Sequence, residues 1–514
     1  MRRLLLCGLV AALAQASCGS ADEASFGEAA RADESGGPGG AAAPGQGGEP
    51  PAEREIESDY EAPVATGKLV WITNPKSGRV ALVDAASLQV RTVEAGNGPT
   101  YVAPVPGQSE DTTLVLNVLS EDATLLRAGA QITTKTFKVA KQANSMAFSA
   151  DGRYAIVWAD ARKVKTPPPK TQGFQDLTVL DLMTGSSTIL AVGYRPVLVG
   201  FAANAPRAYA VTQDGVAIVD VPNATLTKNV LISDTPTEDP GTRDVFVTKD
   251  GNNAYIRRDN SNVITIVSLE NDTRSTITLS GSVTDMDLAD TGDRAIAVAR
   301  ETSQVAVIPI ADPATFQTVT ITGETIGSVS IAPGGQKGLL YTNATAAERF
   351  TILNIGAQTD PYRVVRLYSP VLGIFSTPNA QHAVVLHDKT AGEGGTPGAF
   401  SLVPIDATLP AKIVATEAPP SAVSAQNDRA VIAERDDKAQ KFGAYLARFP
   451  QLMVERYPLA SPPIAVGVVA GAKRAYVAQQ HPEGRLTFID LESGVARTLT
   501  GFELSSRVVD GSKP

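Results

Sequence analysis

From residue 67 onward, short apolar runs alternate with polar turns, and no stretch keeps the three-to-four spacing of an amphipathic helix. The segment from Val70 to Gly107 shows the pattern: VWITNPKSGRVALVDAASLQVRTVEAGNGPTYVAPVPG holds four apolar runs split by Gly-, Asn-, Asp- and Pro-containing turns. Val, Ile, Thr and Tyr dominate these runs, so each predicts a short β-strand.

The four-strand unit recurs about every 40 to 50 residues, ten times in all. One strand reads LVWITN, LVLNV, YAIVWAD, AYAVTQD, AYIRRD, AIAVAR, LLYTN, AVVLHD, AVIAER and AYVAQQ in successive copies. The next reads RVALVD, ATLLRA, LTVLDL, VAIVDV, ITIVSL, VAVIPI, FTILNI, FSLVPI, GAYLARF and LTFIDL. A weaker third strand follows, such as QVRTVE. The fourth ends in a turn, as in MAFSADGR, VFVTKDGN, MDLADTGD and VSIAPGGQ. Four short antiparallel strands at this period predict an all-β chain folded as a β-propeller of the WD40-like kind. A lone blade cannot bury both of its faces, so the blades must stack around an axis. The expected arrangement is one closed ring over residues 67–514; two smaller propellers, or a smaller ring with repeats outside it, also fit the count. Leu504 to Gly511, LSSRVVDG, matches an innermost strand and is expected to complete the first blade from the C-terminal side.

Trp71-Ile72-Thr73-Asn74, Leu82-Val83-Asp84 and Gly98-Pro99 resemble the YVTN-family propeller repeat, with a second echo at Leu340-Tyr341-Thr342-Asn343. That family includes archaeal surface-layer proteins, lactonase-like enzymes and envelope proteins, so the resemblance implies a fold more than a chemistry.

The N-terminal residues give a location. MRRLLLCGLVAALAQASC couples Arg2 and Arg3 to an apolar run from Leu4 to Ala14, too short to span a bilayer. Residues 1–18 read as a signal peptide. Ala16-Ser17-Cys18 resembles the end of a bacterial lipobox, with Gln15 where Leu is usual; this implies an envelope lipoprotein acylated at Cys18. Gly19 leans towards the outer membrane. Cleavage behind Ala16 would instead release a secreted or periplasmic soluble protein. Residues 19–66 are rich in Gly, Ala, Pro and acids and read as a flexible tether.

Net charge is −9, which disfavours nucleic acid as a partner. No cysteine follows Cys18, so the propeller has no disulfide, zinc-thiolate site or thioether-bound haem. No phosphate-binding glycine loop, G-x-S-x-G elbow or H-E-x-x-H motif is present. The odd spacing of His382 and His387 places them on opposite faces of a strand, or one of them in a turn, a poor metal pair either way.

Asp151, Asp250 and Asp293 sit in tight turns and read as turn caps. Asp244, Asp285 and Asp287 fall inside innermost strands, where other copies carry Ser145, Leu198, Ser328 or Ala465. Buried carboxylates need partners. Arg243 and Arg507, in comparable strands, are candidates to pair with them as an internal polar plug. The other reading is a channel-mouth site for a cation or polar ligand. With a divalent cation at Asp244 and Asp285, the chain would be a metal-dependent lactonase-like hydrolase; without one, no cofactor is expected.

The longest insertions, Ala159 to Gln175, Ser233 to Arg243, His387 to Gly398 and a shorter one from Glu434, all fall at one face by strand order. Elaboration of one face marks it for binding. The first carries Arg162, Lys163, Lys165 and Lys170 and suits an acidic partner. The expected function is an envelope-anchored, non-enzymatic binding or scaffold module for a protein or glycan, attached to the membrane by its lipid.

Overall fold

The computed structural model describes residues 62–163, 174–235, 238–367, 369–390, 395–406, 409–481 and 483–502, together with the backbone of Ala24–Ser25. It holds ten four-stranded antiparallel blades, numbered here in chain order. They span residues 64–94, 99–138, 145–191, 198–230, 243–278, 283–320, 328–366, 371–416, 420–458 and 463–500. Within each, the chain runs from the innermost strand outward, pairing neighbour to neighbour. Ala24–Ser25 adds a short pairing to Ala422 and Val423 on the inner edge of blade 9.

The apolar runs become the second and third strands because these are covered on both faces by the flanking blades. In blade 2, Thr112 to Asn117 are all buried. The outermost strands meet solvent and are correspondingly polar, as in Arg274–Thr278. This explains why the third run of each sequence repeat was the weakest.

The core is a set of packed faces between blades rather than one central mass. Trp71, Leu82, Val115 and Leu126 join blades 1 and 2. Comparable clusters fill the following boundaries, for example Phe246, Tyr255, Met286 and Ile308 between blades 5 and 6. The ring closes where Val70, Ala81 and Val83 of blade 1 meet Ala465, Tyr476 and Phe488 of blade 10. The Tyr476 hydroxyl donates to Pro63 O at 3.0 Å, tying the last blade to the start of the first.

That closure differs in one respect from the sequence expectation. The innermost position of blade 1 is held by Val64–Ala65, which pairs with Trp71 and Val70. Thr66 N–H donates to Leu69 O at 2.9 Å in the tight turn between the two strands. A hairpin this short places its own inner strand without bringing in a distant segment. Leu504 to Gly511 lies outside the described residues.

The turn aspartates cap as expected. Asp151 Oδ1 accepts from Ser149 Oγ at 2.6 Å and from Arg153 N at 3.0 Å. Gly152 beside it has φ 64, and a Cβ there would lie 1.9 Å from Pro106 O of the preceding blade. Only glycine fits both the left-handed backbone and the close approach.

Candidate functional site

Blade 6 carries its carboxylates on the innermost strand, Val283–Leu288. Ala289 N–H donates to Arg294 O, so by antiparallel alternation the N–H groups of Met286 and Leu288 point to the free inner edge. In blade 7, Ala332 N–H donates to Lys337 O, which leaves the N–H groups of Val329 and Ile331 on its free edge. Asp285 accepts from Met286 N at 2.6 Å and from Val329 N at 2.7 Å. Asp287 accepts from Leu288 N at 2.8 Å and from Ile331 N at 2.9 Å. Asp290 continues the series, with Gly334 N–H at 3.0 Å from Oδ1 and 3.1 Å from Oδ2. All three reach 44 residues along the chain, one blade onward.

This ladder satisfies edge donors that would otherwise depend on water. It also crowds negative charge. Asp287 keeps some exposed surface, but loss of hydration pushes its carboxyl up to about 7. The neighbouring Asp285 and Asp290 add to the push, and the N–H groups of Ile331 and Leu288 oppose it.

Asp244 and Arg243 lie next to each other on the innermost strand of blade 5 but take different partners. Arg257, cross-strand from Asp244, donates to it through Nε at 2.7 Å and through a terminal nitrogen. Arg257 also reaches Val283 O of blade 6 at 3.1 Å. The ion pair is thus a second bridge between adjacent blades. Arg243 does not pair with the inner aspartates. It grips Glu238 and donates to Thr212 O and Gln213 O, each at 3.1 Å. The register explains this: Asp244 is opposite an arginine of its own blade, so it needs no other. Arg507 lies outside the described residues. The structure therefore brings Asp285 and Asp287 together and leaves Asp244 and Arg243 in separate contacts.

The long connections emerge together, because they link second to third strands or an outer strand to the next inner one. Arg162 and Lys163 open the first of them. The Arg162 guanidinium meets Asp160 through Nε at 3.1 Å and a terminal nitrogen at 2.8 Å, and also reaches Val197 O of blade 4. Lys163 Nζ donates to Asn144 O at 3.3 Å and sits 5.4 Å from the centre of the Tyr101 ring. Arg162 is half-buried and Lys163 exposed, and both have partners within the chain at the base of the loop. Lys165 and Lys170 lie outside the described residues.

The histidines separate as their spacing predicted. His382 stacks on Phe449 of blade 9 at 4.5 Å, whereas His387 Nε2 meets Ser401 Oγ at 2.7 Å and Nδ1 lies 3.3 Å from Pro370 O. Burial pulls His387 down to about 4. Among the described residues, no three His, Cys, Asp or Glu side chains gather as a metal site.

Two acidic residues escaped notice in the sequence. Glu434 was placed at the start of a loop but lies inside the strand Arg429–Asp436, fully buried. It accepts from Glu417 N at 2.8 Å, Ala418 N at 3.2 Å, Tyr445 OH at 3.0 Å and Arg456 Nε at 2.8 Å. Its one sequence signal is a carboxylate within the apolar run AVIAER. Glu238 is the other; its partner is the Arg243 already singled out.

Comparison with protein-family models gives no match, and none of the curated proteins is similar in sequence. Solved structures are similar in fold. One described as the eukaryotic initiation factor shares 10% identity at a TM-score of 0.50, over 78% of this chain and 96% of that one. The C-terminal WD40 domain of Sif2 shares 10% identity at a TM-score of 0.43, over 76% and 95%. Dihydro-heme d1 dehydrogenase NirN in complex with DHE shares 14% at a TM-score of 0.40, over 67% and 78%. This chain is a ten-bladed β-propeller. At such identities the likeness is one of fold, and what the propeller does rests on its own residues. The YVTN-like tetrads of this propeller fall on the second strand of blade 1 and on the second strand of blade 7 with the residues just after it.

Proposed function

We propose that the protein is a non-enzymatic binding or scaffold module of the bacterial cell envelope, a YVTN-type propeller anchored by a lipid on Cys18, in the outer membrane. Its partner is a protein or a glycan, held on the face that carries the long connections. One observation carries this reading: the long connections after Trp158, Val230 and His387 all leave from the same end of their blades. Such segments are where propellers vary without disturbing the packed faces. The inner carboxylates support the same reading, because their oxygens already accept from backbone N–H groups or from Arg257.

The test is capture of envelope proteins and glycans by the full chain and by a variant lacking residues 164–173. The deletion spares Arg162 and Lys163, whose contacts tie blade 3 to blade 4 and to blade 2 respectively. Loss of a partner with unchanged melting of the ring supports the reading. A partner retained at full affinity by that variant, and by variants shortened at 391–394, contradicts it.

A further inference from the structure

The face with the long connections holds a concentration of guanidinium groups. Arg243 begins the innermost strand of blade 5, and Arg258 ends the strand paired with it, directly opposite. Arg195 lies in the connection from blade 3 to blade 4. Two cross-strand cations side by side repel unless an anion lies between them. That anion is Glu238: Arg258 Nε donates to its Oε1 at 2.7 Å, and Arg243 meets its Oε2. The Arg243 side chain is 1% exposed, so its charge depends on this carboxylate.

Glu238 belongs to neither blade. It sits on the insertion between them, followed by Asp239, which faces Arg195 at 3.4 Å. The fit is incomplete. The Nε–H groups of Arg243 and Arg195 have no acceptor, and Arg195 reaches Gln213 Oε1 only at 3.5 Å. A buried guanidinium donor without an acceptor is destabilising. The clamp therefore offers more donors than its occupant uses.

We propose that Arg243 and Arg258, with Arg195 beside them, form a binding site for an acidic peptide segment of a protein partner, and that Glu238 and Asp239 are its resident pseudo-ligand. The site rests on the binding-module reading and gives that module's partner a chemistry: adjacent carboxylates on an extended chain. Paired arginines grip carboxylates bidentately, which selects them over hydroxyls and amides. The resident segment competes as a tethered ligand. A short tether corresponds to an effective concentration on the order of millimolar, so it masks the site from weak acidic peptides and yields to a tight partner.

The experiment titrates the full chain with acetyl-Glu-Asp-amide and with its uncharged counterpart acetyl-Gln-Asn-amide, reading heat and melting temperature. The Glu238→Ala and Glu238→Gln variants are expected to bind the acidic peptide at least tenfold more tightly than the unaltered chain. Adding Arg258→Gln should abolish the gain, and the uncharged peptide should bind none of them. Should Glu238→Ala lose its fold, the acidic peptide must restore the melting transition where the uncharged one does not. Variants that neither bind nor are rescued in a charge-dependent way overturn the proposal and leave the arginines as a structural ion cluster. If the module still captures its partner through residues 164–173, the binding reading survives that failure. A responsive site on a chain that captures nothing would fail the other way.

Discussion

Asp287 Oδ2 accepts the backbone N–H of Ile331 at 2.9 Å, joining the innermost strands of blades 6 and 7 across 44 residues of chain. With Asp285 and Asp290 it forms a ladder of carboxylates on backbone donors, where a catalytic or metal-binding pair could otherwise have stood.

Replacing the ladder should weaken the ring locally. Asp287→Ala leaves the Ile331 and Leu288 donors without acceptors, at about 1–3 kcal/mol for each group that water cannot reach. Urea denaturation should show a lower midpoint with little change in slope. Asp285→Ala combined with Asp287→Ala should cost more than the sum of the two, because each single change already relieves a repulsion that the double change can relieve only once.

The pH dependence of stability has two opposed contributions. Asp287 titrates near 7 when folded against an ordinary 3.8, so the folded chain binds that proton more tightly. Its contribution falls as pH rises from about 4 to 7. His387 titrates near 4 when folded against 6.5, so the folded chain resists protonation there. Its contribution is lost as pH falls from about 6.5 to 4. The Asp287→Asn variant should therefore show a steeper gain in stability from pH 4 to 7 than the unaltered chain. The His387→Gln variant should show a shallower gain or a decline. Melting curves across that range check both signs.

Glu434 is the anchor of blade 9. Truncating it to alanine leaves two backbone donors and the Tyr445 hydroxyl without their acceptor, leaves Arg456 with Glu417 alone, and should cost roughly 3 kcal/mol. Arg456 is partly exposed and can rehydrate, so Arg456→Ala should also destabilise, with the two losses strongly non-additive in a double-mutant cycle.

Gly152→Ala tests the close seating of blades 2 and 3. The left-handed backbone alone costs about 1 kcal/mol, and the clash with Pro106 O adds to it. Gly323 has a similar φ with open space around its Cβ position, so Gly323→Ala should cost only the backbone part. Comparing the two by urea denaturation separates strain from crowding.

The ring was legible because burial on both faces writes itself into each copy as strands such as LVWITN and RVALVD. The innermost strand of blade 1 was not: two residues, Val64–Ala65, carry too little pattern to stand out from the acidic stretch before them. The inner aspartates were flagged by position, since a carboxylate in an innermost strand is unusual. Their partners were hidden, because backbone N–H groups one blade away depend on the register between blades, which no local pattern encodes. The same holds for Arg243, whose partner Glu238 lies five residues back around a turn of the insertion. Arg162 and Lys163 looked like free charge in a basic loop, yet Asp160 and the Tyr101 ring hold them at its base.

The central claim is that function lies on the face with the long connections and that the inner carboxylates are structural. The direct measurement is the dissociation constant of the captured partner for the full chain, for the variant lacking residues 164–173, and for Asp285→Asn/Asp287→Asn. The account predicts that the loop deletion weakens binding at least tenfold while the carboxylate variant, once shown to be folded, binds within about twofold of the unaltered chain. Undiminished binding without the loop, together with loss of binding in the carboxylate variant, would contradict it.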